Sequence, residues 1–433
     1  MTTSTLRRNY SGPFDPELTL GSFSRQVLAE LGREYLLSGH LQDRAGLPLV
    51  MMRFGEDAMT AISIDEWMAA SPIYSERMQR ALRFEGNDVG TVFKNLQFDI
   101  GAPHQFMDFQ FLLHRPEYGE FWLAHCGALM DVEPFGEERV RTMCHDIEDP
   151  TFDATAAAAH PCMKVRPIHR PPRSPEHRMP HCRWRVFIDD EGVAYEQHAN
   201  LAINRRSKAA SVVLTKAVAN GEPGGWADYS GTFDPGFQLE DLSHDALVTV
   251  LQEIGVQIHL LAHAFNLSIE QRFGTEDADD LSAQQWDGIA ALTAERLLTA
   301  LAIEGDGIES IAKVFQMHPC FQPRAYIDLH VEITGDSSAR LTFGPSPAFE
   351  ETEAHSWFAG LGKAPHPALD AIAGTVNPKA QCVPASPRSG ARLAFDVLID
   401  PAADAYEPSQ ALALAKVSKG ATFLFEPRRL PRA

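Results

Sequence analysis

The sequence predicts an α+β protein built as a tandem duplication, in which each half has N-terminal helices followed by an antiparallel sheet. Two observations indicate this. Four blocks of sequence recur in the same order in the two halves of the 433-residue chain. Within each half, segments with apolar residues at helical spacing precede segments with the alternating or continuous apolar residues typical of strands. We expect a first repeat over 1–225 and a second, degenerate repeat over 226–433.

The recurring blocks are collinear, which makes chance similarity a poor explanation. The block 53–86 matches 272–305 without a gap, and its Trp, Glu-Arg, Ala-Leu and Glu-Gly all fall in register. The other three pairs are 27–40 with 250–263, "PTFDA" (150–154) with "PALDA" (367–371), and 185–214 with 396–425. A Gly- and Asp-rich connector at 219–238 is the natural boundary between the halves.

The elements follow the same order in both halves. Helices are expected over 22–40 and 65–83, where Asp65 and Glu66 suit a first helical turn, and over 86–97. Strands are expected within 105–114, 119–129 and 182–189 in the first half, and within 324–333 and 339–345 in the second. A Pro-rich stretch, 166–181, can be neither helix nor central strand, so it is expected to form a loop or flap.

Composition narrows the class of protein. Acidic residues outnumber basic ones by 58 to 38, giving a formal net charge of −20, so a nucleic-acid partner is not expected. The N-terminus lacks the apolar core of a signal peptide, and no run of about 18 apolar residues predicts a membrane span. Six cysteines without a C-x-x-C pair suggest a cytoplasmic protein with reduced thiols rather than a disulfide scaffold or zinc ribbon.

The segment "MCHDIEDPTFDA" (143–154) concentrates reactive groups that its aligned counterpart, "GLGKAPHPALDA", lacks. With 150–154 aligned to 367–371, the positions opposite Cys144, His145, Asp146, Glu148 and Asp149 are Leu361, Gly362, Lys363, Pro365 and His366. A fold that tolerates this loss does not need the groups for folding. We therefore expect a functional site in the first repeat, although the groups could instead cap a helix that ends before Pro150.

Two chemistries fit the cluster. Cys126, Cys144 and His145 could bind zinc or iron, with Asp146 or Glu148 as the base or the partner of a ligand. Alternatively, Cys144 could be a nucleophile beside His145, although neighbouring carboxylates would oppose its ionisation. The predicted catalytic residues are Cys144, His145, Asp146 and Glu148, and the predicted metal ligands are Cys126, Cys144 and His145.

The Pro-rich flap carries His169, Arg170 and Arg173, which suit an anionic group such as a substrate carboxylate. The ordinary alternative is an exposed basic loop on an acidic protein. Among the other histidines, His40 and His263 align at the ends of the blocks 27–40 and 250–263, which favours a shared structural role at a helix end. In that alignment His259 faces Leu36, which favours a partly buried position.

Between Cys126 and Trp184 the chain resembles the L-2-amino-thiazoline-4-carboxylic acid hydrolase family, itself similar to 4-vinyl reductase-type domains. The matching positions, all within the first half, are Cys126, Gly136, Cys144, Asp146, Arg166, Cys182 and Trp184. The chain departs from the pattern in its length, its duplication and its Pro/Arg flap. The resemblance implies hydrolytic opening of a small C–N or C–S ring that carries a carboxylate. It also implies a pocket lined by Cys126, Cys144, Asp146 and Cys182.

The sequence thus favours a small-molecule hydrolase or lyase acting on a carboxylate-bearing substrate, with or without a metal. Two alternatives remain open. One is a non-haem metal-dependent redox enzyme or oxygenase using His40, His145 and Glu148. The other is a small-molecule-binding protein without catalysis. A homodimer is possible, and neither a nucleic-acid nor a membrane partner is expected.

Overall fold

The computed structural model describes residues 6–215, 222–351, 355–361 and 367–431. The α-helices of the first half are α1 (Arg25–Phe54), α2 (Glu56–Leu82), α3 (Val89–Leu96), α4 (Gly127–Val132), α5 (Glu137–Arg141), α6 (Glu148–Ala157), α7 (Ala199–Asn204) and α8 (Lys208–Ser211), with a π-helix (Thr142–Ile147) between α5 and α6. Those of the second half are α9 (His244–Phe273), α10 (Thr275–Ala300), α11 (Ile308–Met317), α12 (Pro367–Val376) and α13 (Gln410–Ala415).

Each half contains one four-stranded antiparallel sheet. The strands are β1 (Met107–Arg115), β2 (Tyr118–Cys126), β3 (Met163–His169) and β4 (Cys182–Ile188), then β5 (Leu329–Gly335), β6 (Ser338–Phe343), β7 (Ala380–Ala385) and β8 (Leu393–Ile399). The strand orders are β1-β2-β4-β3 and β5-β6-β8-β7, so the two sheets have the same topology. The α+β class and the helices-then-sheet order predicted from the sequence are confirmed.

Equivalent hydrogen bonds explain one of the recurring blocks. Asp153 in α6 accepts a hydrogen bond from the backbone N–H of Val165 in β3, at 2.9 Å. Asp370 in α12 accepts the same bond from Cys382 in β7, at 2.7 Å. This shared aspartate fixes the helix to the edge strand, so its recurrence in "PTFDA" and "PALDA" is a requirement of the fold.

The long helices of both halves form one common core. α2 packs mainly against α9, and α1 packs against both α9 and α10. The two long helices of one half therefore pack against the two long helices of the other. Buried side chains from both halves belong to the same apolar cluster. Gly46 lies where α1 approaches α10 closely, because a Cβ there would come within 2.7 Å of the Gln285 side chain.

The segments that precede α1 and α9 are exchanged between the halves. The Tyr10 hydroxyl donates to Gln316, at the C-terminal end of α11, at 2.6 Å. The Tyr229 hydroxyl donates to Gln97, just after α3, at 3.0 Å. The two tyrosines, like the two glutamines, occupy equivalent positions of the repeats, so each half receives the same buried tyrosine from the other half.

The repeated Ser-Lys dipeptide has the same reciprocal role. Asp131, at the end of α4, accepts a hydrogen bond from the backbone N–H of Lys419 at 2.7 Å. Glu351 accepts the equivalent bond from the backbone N–H of Lys208, also at 2.7 Å. Each acidic residue thus holds the C-terminal segment of the opposite half.

The lengths of the helices correct one sequence alignment. α1 and α9 both contain 30 residues and end before equivalent glycines, so the two helices align with Gly55 opposite Gly274. His40 is therefore equivalent to His259, and the predicted pairing of His40 with His263 is wrong, as is the pairing of His259 with Leu36. Both predicted helices were also too short, because α1 continues to Phe54 and α2 begins at Glu56.

His40 and His263 lie in the middle of their helices, contrary to the predicted position at helix ends. Among the described residues, α9 is also the one helix long and apolar enough to cross a membrane by length and composition alone. Its apolar window is 94% buried inside the molecule, as expected of a core helix.

Candidate functional site

A cavity of about 150 Å³ lies in the first half, between the long helices and the segment that follows β2. α1 and α2 form its inner side, and the region after α3 together with β1 closes one flank. The short helices α4 and α5, the π-helix and α6 form the outer side. This cavity can hold a small molecule of a few heavy atoms without any rearrangement of the wall.

The inner side is polar. His40, Asp43 and Arg44 from α1 line it, together with Asp99 from the turn after α3. His40, Asp43 and Asp99 are almost completely buried. Burial raises the pKa of Asp43 to about 6 and that of Asp99 to about 6, and it lowers the pKa of His40 well below its usual value. His40 is therefore neutral at physiological pH.

Asp43 lies beside a second carboxyl group, that of Glu66 in α2. Asp43 Oδ2 accepts a hydrogen bond from Trp67 Nε1 at 3.0 Å. Within the described part of the chain, Asp43 Oδ1 and both carboxyl oxygens of Glu66 lack a hydrogen-bond donor. Glu66 is fully buried, and burial followed by repulsion from Asp43 raises its pKa well above the usual range.

Glu148 supplies the titratable group on the outer side. It is the first residue of α6, directly after the π-helix, and its side chain lines the cavity although the residue keeps partial exposure. Burial raises the pKa of Glu148 to about 8, against the opposing charge of Arg170. Glu148 therefore holds a proton at neutral pH, and π-helical turns often accompany such functional positions.

Two arginines line the cavity with different partners. Arg44 Nε donates to Asp131 at 3.0 Å, and its Nη2 lies 3.4 Å from His40 Nε2. Arg139 in α5 makes longer contacts, 3.3 Å to Glu56 and 3.4 Å to the Met59 sulfur. A guanidinium has five N–H donors, so Arg139 keeps donors that a ligand could use.

The rest of the wall is apolar and partly aromatic. Trp67, Phe109 and Phe152 provide flat surfaces, and Met107 and Met143 fill the spaces between them. An apolar wall with a few polar groups at defined places is the usual composition of a small-molecule site.

Aromatic side chains fill the inner part of the equivalent place in the second half. Its outer part remains a cavity of about 180 Å³, lined by Asn266, Ala278 and Ser282, the counterparts of Leu47, Met59 and Ser63. Trp286, the counterpart of Trp67, stacks on Trp357 with ring centroids 5.7 Å apart and an interplanar angle of 3°. Phe358 packs edge-on against Trp286 at 5.1 Å. Trp357 also donates a hydrogen bond to Gln285 at 3.2 Å, so its indole is held at that place.

The polar groups of the cavity are replaced in the same copy. In the register that aligns Gly55 with Gly274, Asp43, Arg44, Glu66 and Asp99 correspond to Ala262, His263, Gln285 and His318. The copy whose inner cavity is open carries these buried charged residues, and the copy whose inner cavity is occupied by Trp357 does not. Because burying a charge is costly, the charges in the first copy are best explained by a function of the cavity.

The structure places the predicted thiols next to this cavity and not in its wall. Cys126, Cys144 and Cys182 are buried. Burial, followed by the charge of Glu148, raises the pKa of Cys126 to about 12 and that of Cys144 well above its usual value. Because the thiolate is the nucleophile, a protonated Cys144 is a poor one.

The remaining residues of the cluster point elsewhere. His145 Nε2 forms a hydrogen bond with the carbonyl oxygen of Pro171 at 2.7 Å, so it holds the flap. Asp146 is exposed. Leu361, the counterpart of Cys144, is buried, whereas the counterparts at 362–366 lie outside the described residues. The predicted helix end before Pro150 is wrong, because the π-helix continues directly into α6.

The prediction of a loop over all of 166–181 is wrong at its start, because 166–169 form the end of the edge strand β3. His169, at that end, and the two arginines that follow it contact the protein itself. Arg170 forms an ion pair with Asp149, and Arg173 forms two hydrogen bonds with Glu133, at 2.8 and 2.9 Å. Burial and the neighbouring Arg178 and Arg183 lower the pKa of His169. His169, Arg170 and Arg173 do not line the cavity, so their predicted role in substrate binding stays a prediction.

The predicted metal set lacks geometric support. Within residues 6–215, 222–351, 355–361 and 367–431, no group of three or more His, Cys, Asp or Glu side chains is arranged to hold a metal ion. Cys126 Sγ accepts a hydrogen bond from the backbone N–H of Leu129 at 3.3 Å, and His145 Nε2 forms a hydrogen bond with the carbonyl oxygen of Pro171. A zinc or iron site stays a prediction.

Most of the polar wall was not predicted from the sequence. Glu148 was predicted as catalytic, and His40 was given a structural role and a place in the redox alternative, but Asp43, Arg44, Asp99 and Arg139 were not identified. One signal was available, since the gapless block 53–86 already places Glu66 opposite Gln285. Comparisons with protein-family models, with curated proteins and with solved structures return no match for this chain.

Proposed function

We propose that this protein is an enzyme, a hydrolase or lyase, that transfers protons to and from a small carboxylate-bearing molecule in the first-half cavity. Glu148 is the proton donor. The observation that carries the proposal is a carboxyl group in a cavity wall whose pKa is raised to about 8 by burial. A donor is most effective when its pKa is close to the working pH, which this value satisfies.

The carboxylate of the substrate binds Arg139. This guanidinium lines the cavity, and its protein contacts are long, at 3.3 and 3.4 Å. Burial lowers the pKa of Arg139, so the cation is poorly solvated and gains most from an anionic partner. Arg44 is less suited, because Asp131 already holds it at 3.0 Å.

The body of the substrate packs between Trp67, Phe109 and Phe152, which favours a small flat ring. The resemblance to the L-2-amino-thiazoline-4-carboxylic acid hydrolase family suggests the same kind of molecule, a ring with a C–N or C–S bond and a carboxylate. In such a reaction Glu148 gives its proton to the leaving nitrogen or sulfur as the ring opens.

The test compares wild type with Glu148→Gln on L-2-amino-thiazoline-4-carboxylate, with ring opening followed by mass spectrometry. Loss of one general acid commonly lowers the rate by about 10²- to 10⁴-fold, and we expect a loss in that range. Glu138→Gln, at an exposed position of α5, is the matched control and should keep full activity. Full activity in Glu148→Gln would contradict the proposal.

If the molecule binds but is not converted, the proposed enzyme is instead a small-molecule-binding protein. In that case the same molecule would raise the melting temperature of wild type, this rise would disappear in Arg139→Leu, and no ring opening would occur. Of the three residues in the redox alternative, His40 and Glu148 line the cavity. The third, His145, forms a hydrogen bond with the carbonyl oxygen of Pro171.

A further inference from the structure

We propose that Asp43 and Glu66 share one proton, and that Asp43 is the proton acceptor of this cavity, opposite Glu148. The acceptor role rests on the proposed function, whereas the shared proton does not. Asp43 is the member of the pair that lines the cavity, and Glu66 lies behind it in the core.

The first argument concerns hydrogen bonds. Asp43 Oδ1 and both oxygens of Glu66 are buried and lack a donor among the described groups, which would leave three unsatisfied acceptors side by side. A single proton on Glu66, donated to Asp43 Oδ1, removes most of this cost, because it places a hydrogen bond between one oxygen of each carboxyl group. Two adjacent carboxyl groups that share a proton carry one negative charge between them.

The second argument concerns which of the two carboxyl groups carries the negative charge. Trp67 Nε1 donates to Asp43 Oδ2 at 3.0 Å, and the cation Arg44 lies one residue along α1. Within the described part of the chain, neither of these groups donates a hydrogen bond to Glu66, so the negative charge stays on Asp43. The ionised member therefore lines the cavity, and the protonated member supports it from the core.

The third argument comes from the duplication. In the second half the equivalents of Asp43 and Glu66 are Ala262 and Gln285, and Trp357 occupies the space beside Trp286. Both carboxyl groups are therefore absent from the copy in which an indole fills the inner part of the cavity. A pair needed only for folding would have a reason to persist in both copies.

The surroundings of the pair determine how it titrates. Among the described residues, the charge of Arg44 acts on both members of the pair, and Asp65 and Tyr74 also interact with it. His40, Asp99, Arg139 and Glu148 line the same cavity. From α9, His259, His263 and Arg272 belong to the helix packed against α1 and α2, and Arg272 pairs with Asp65. Burial raises the pKa of Asp43 to about 6, whereas that of Glu148 is about 8, so near pH 7 one carboxyl is ionised and the other is protonated. Environments that separate two pKa values in this way assign a base and an acid.

The chemical step then balances. Asp43 takes a proton from a water molecule as the water oxygen bonds to the ring carbon. The C–N or C–S bond breaks, and the leaving atom takes the proton of Glu148. One water is consumed, and the proton on Asp43 returns to Glu148 through solvent, which restores both groups.

The first experiment needs no substrate and uses Trp67 as a reporter. The fluorescence of the reference protein minus that of Trp67→Phe is followed from pH 4.5 to pH 9. Every protein in this series, the reference included, also carries Asp99→Asn, because the pKa of Asp99 in the same wall is likewise about 6. We expect a one-proton transition near pH 6 that disappears when Asp43→Asn is added. Glu66→Gln, which keeps a donor, should retain the transition, and Glu66→Leu should move it upward by about one pH unit or more. A transition that persists in Asp43→Asn, or equal midpoints in the Gln and Leu variants, would overturn the shared proton.

The second experiment measures kcat/KM for L-2-amino-thiazoline-4-carboxylate against pH. Asp43→Asn should remove the acidic limb with a loss of about 100-fold or more, and Glu148→Gln should remove the alkaline limb. Full activity in Asp43→Asn alone would refute the acceptor role while leaving the proposed function intact. If wild type does not open the ring, the proposed function and the acceptor role both fail, and the fluorescence still decides the shared proton.

Discussion

Glu148 holds a proton in the folded chain at pH values where an ordinary carboxyl group has lost it. Its pKa is about 8 in the folded chain, and the unfolded chain has the usual value of 4.5. Between these values unfolding releases a proton, so the free energy of unfolding falls as the pH rises, by at most about 1.4 kcal/mol per pH unit. Below this window both states are protonated, and the effect vanishes.

Glu148→Gln should therefore flatten the dependence of stability on pH between about pH 5 and pH 8. Because glutamine stays neutral, we expect the variant to gain stability relative to wild type as the pH rises. Urea denaturation at pH 6, 7 and 8 measures this difference. The control Glu138→Gln should follow wild type at each pH. A constant difference between Glu148→Gln and wild type across the series would show that Glu148 is not the titrating group.

At the level of single residues, the sequence could identify Glu148 but not Asp43, for a geometric reason. The block 27–40 was aligned to 250–263, which is about one helical turn away from the register that the two helices have. Because a slip of one turn still matches residues on the same helix face, the slipped alignment kept its apolar positions in register. It placed His40 opposite His263, so the equivalence of Asp43 and Arg44 with Ala262 and His263 could not be seen.

The secondary-structure elements differed in how well they could be predicted. Five of the eight strands in the described residues were predicted, because one face of each sheet is buried, which gives the alternation seen in β6. β3, β7 and β8 were not predicted. α1 and α2 were predicted too short because they are buried on several sides, and their buried residues include Asp43 and Glu66. Pro48, inside α1 and beyond the predicted end at residue 40, further obscured the extent of that helix.

The aromatic pair Trp286 and Trp357, in the inner part of the second-half cavity, gives a prediction for one segment. Trp357 is 3% exposed and stacks on Trp286, so Trp357→Ala should create a cavity and destabilise the chain by about 3–5 kcal/mol. Indole has the shape of the missing group and should restore part of the loss. The measurement is the rise in melting temperature with indole, which should be larger in Trp357→Ala than in wild type.

Trp122→Ala is the matched control, because it removes the same side chain from a partly exposed position in β2. Its melting temperature should not respond to indole beyond the response of wild type. Equal responses of the two variants would mean that no indole-sized space opens beside Trp286, and the interpretation of Trp357 as a filler of the equivalent cavity would be wrong.

At the scale of the whole molecule, the duplication could be recognised in the sequence. The exchange of the segments that precede α1 and α9 between the halves could not. Repeated blocks define what the copies share, and they do not say which copy each segment contacts. The structure pairs Tyr10 with Gln316, and Tyr229 with Gln97, so each copy is completed by the other. Such reciprocal contacts depend on tertiary packing, which a single sequence does not encode in any local pattern.

This exchange predicts that neither 1–225 nor 226–433 folds alone. Two buried ion pairs cross between them: Arg33 with Glu240 at 2.8 Å, and Arg77 with Glu253 at 2.9 Å. A separated half would leave these charges unpaired and expose the shared core, and breaking a buried pair costs about 3–5 kcal/mol.

We expect each fragment alone to lack near-ultraviolet circular dichroism. An equimolar mixture should recover this signal and elute as a 1:1 complex in size-exclusion chromatography. Arg33→Gln in the first fragment should weaken the complex, whereas Arg115→Gln, at an exposed position of β1, should not. A cooperative unfolding transition from either fragment by itself would refute this interdependence.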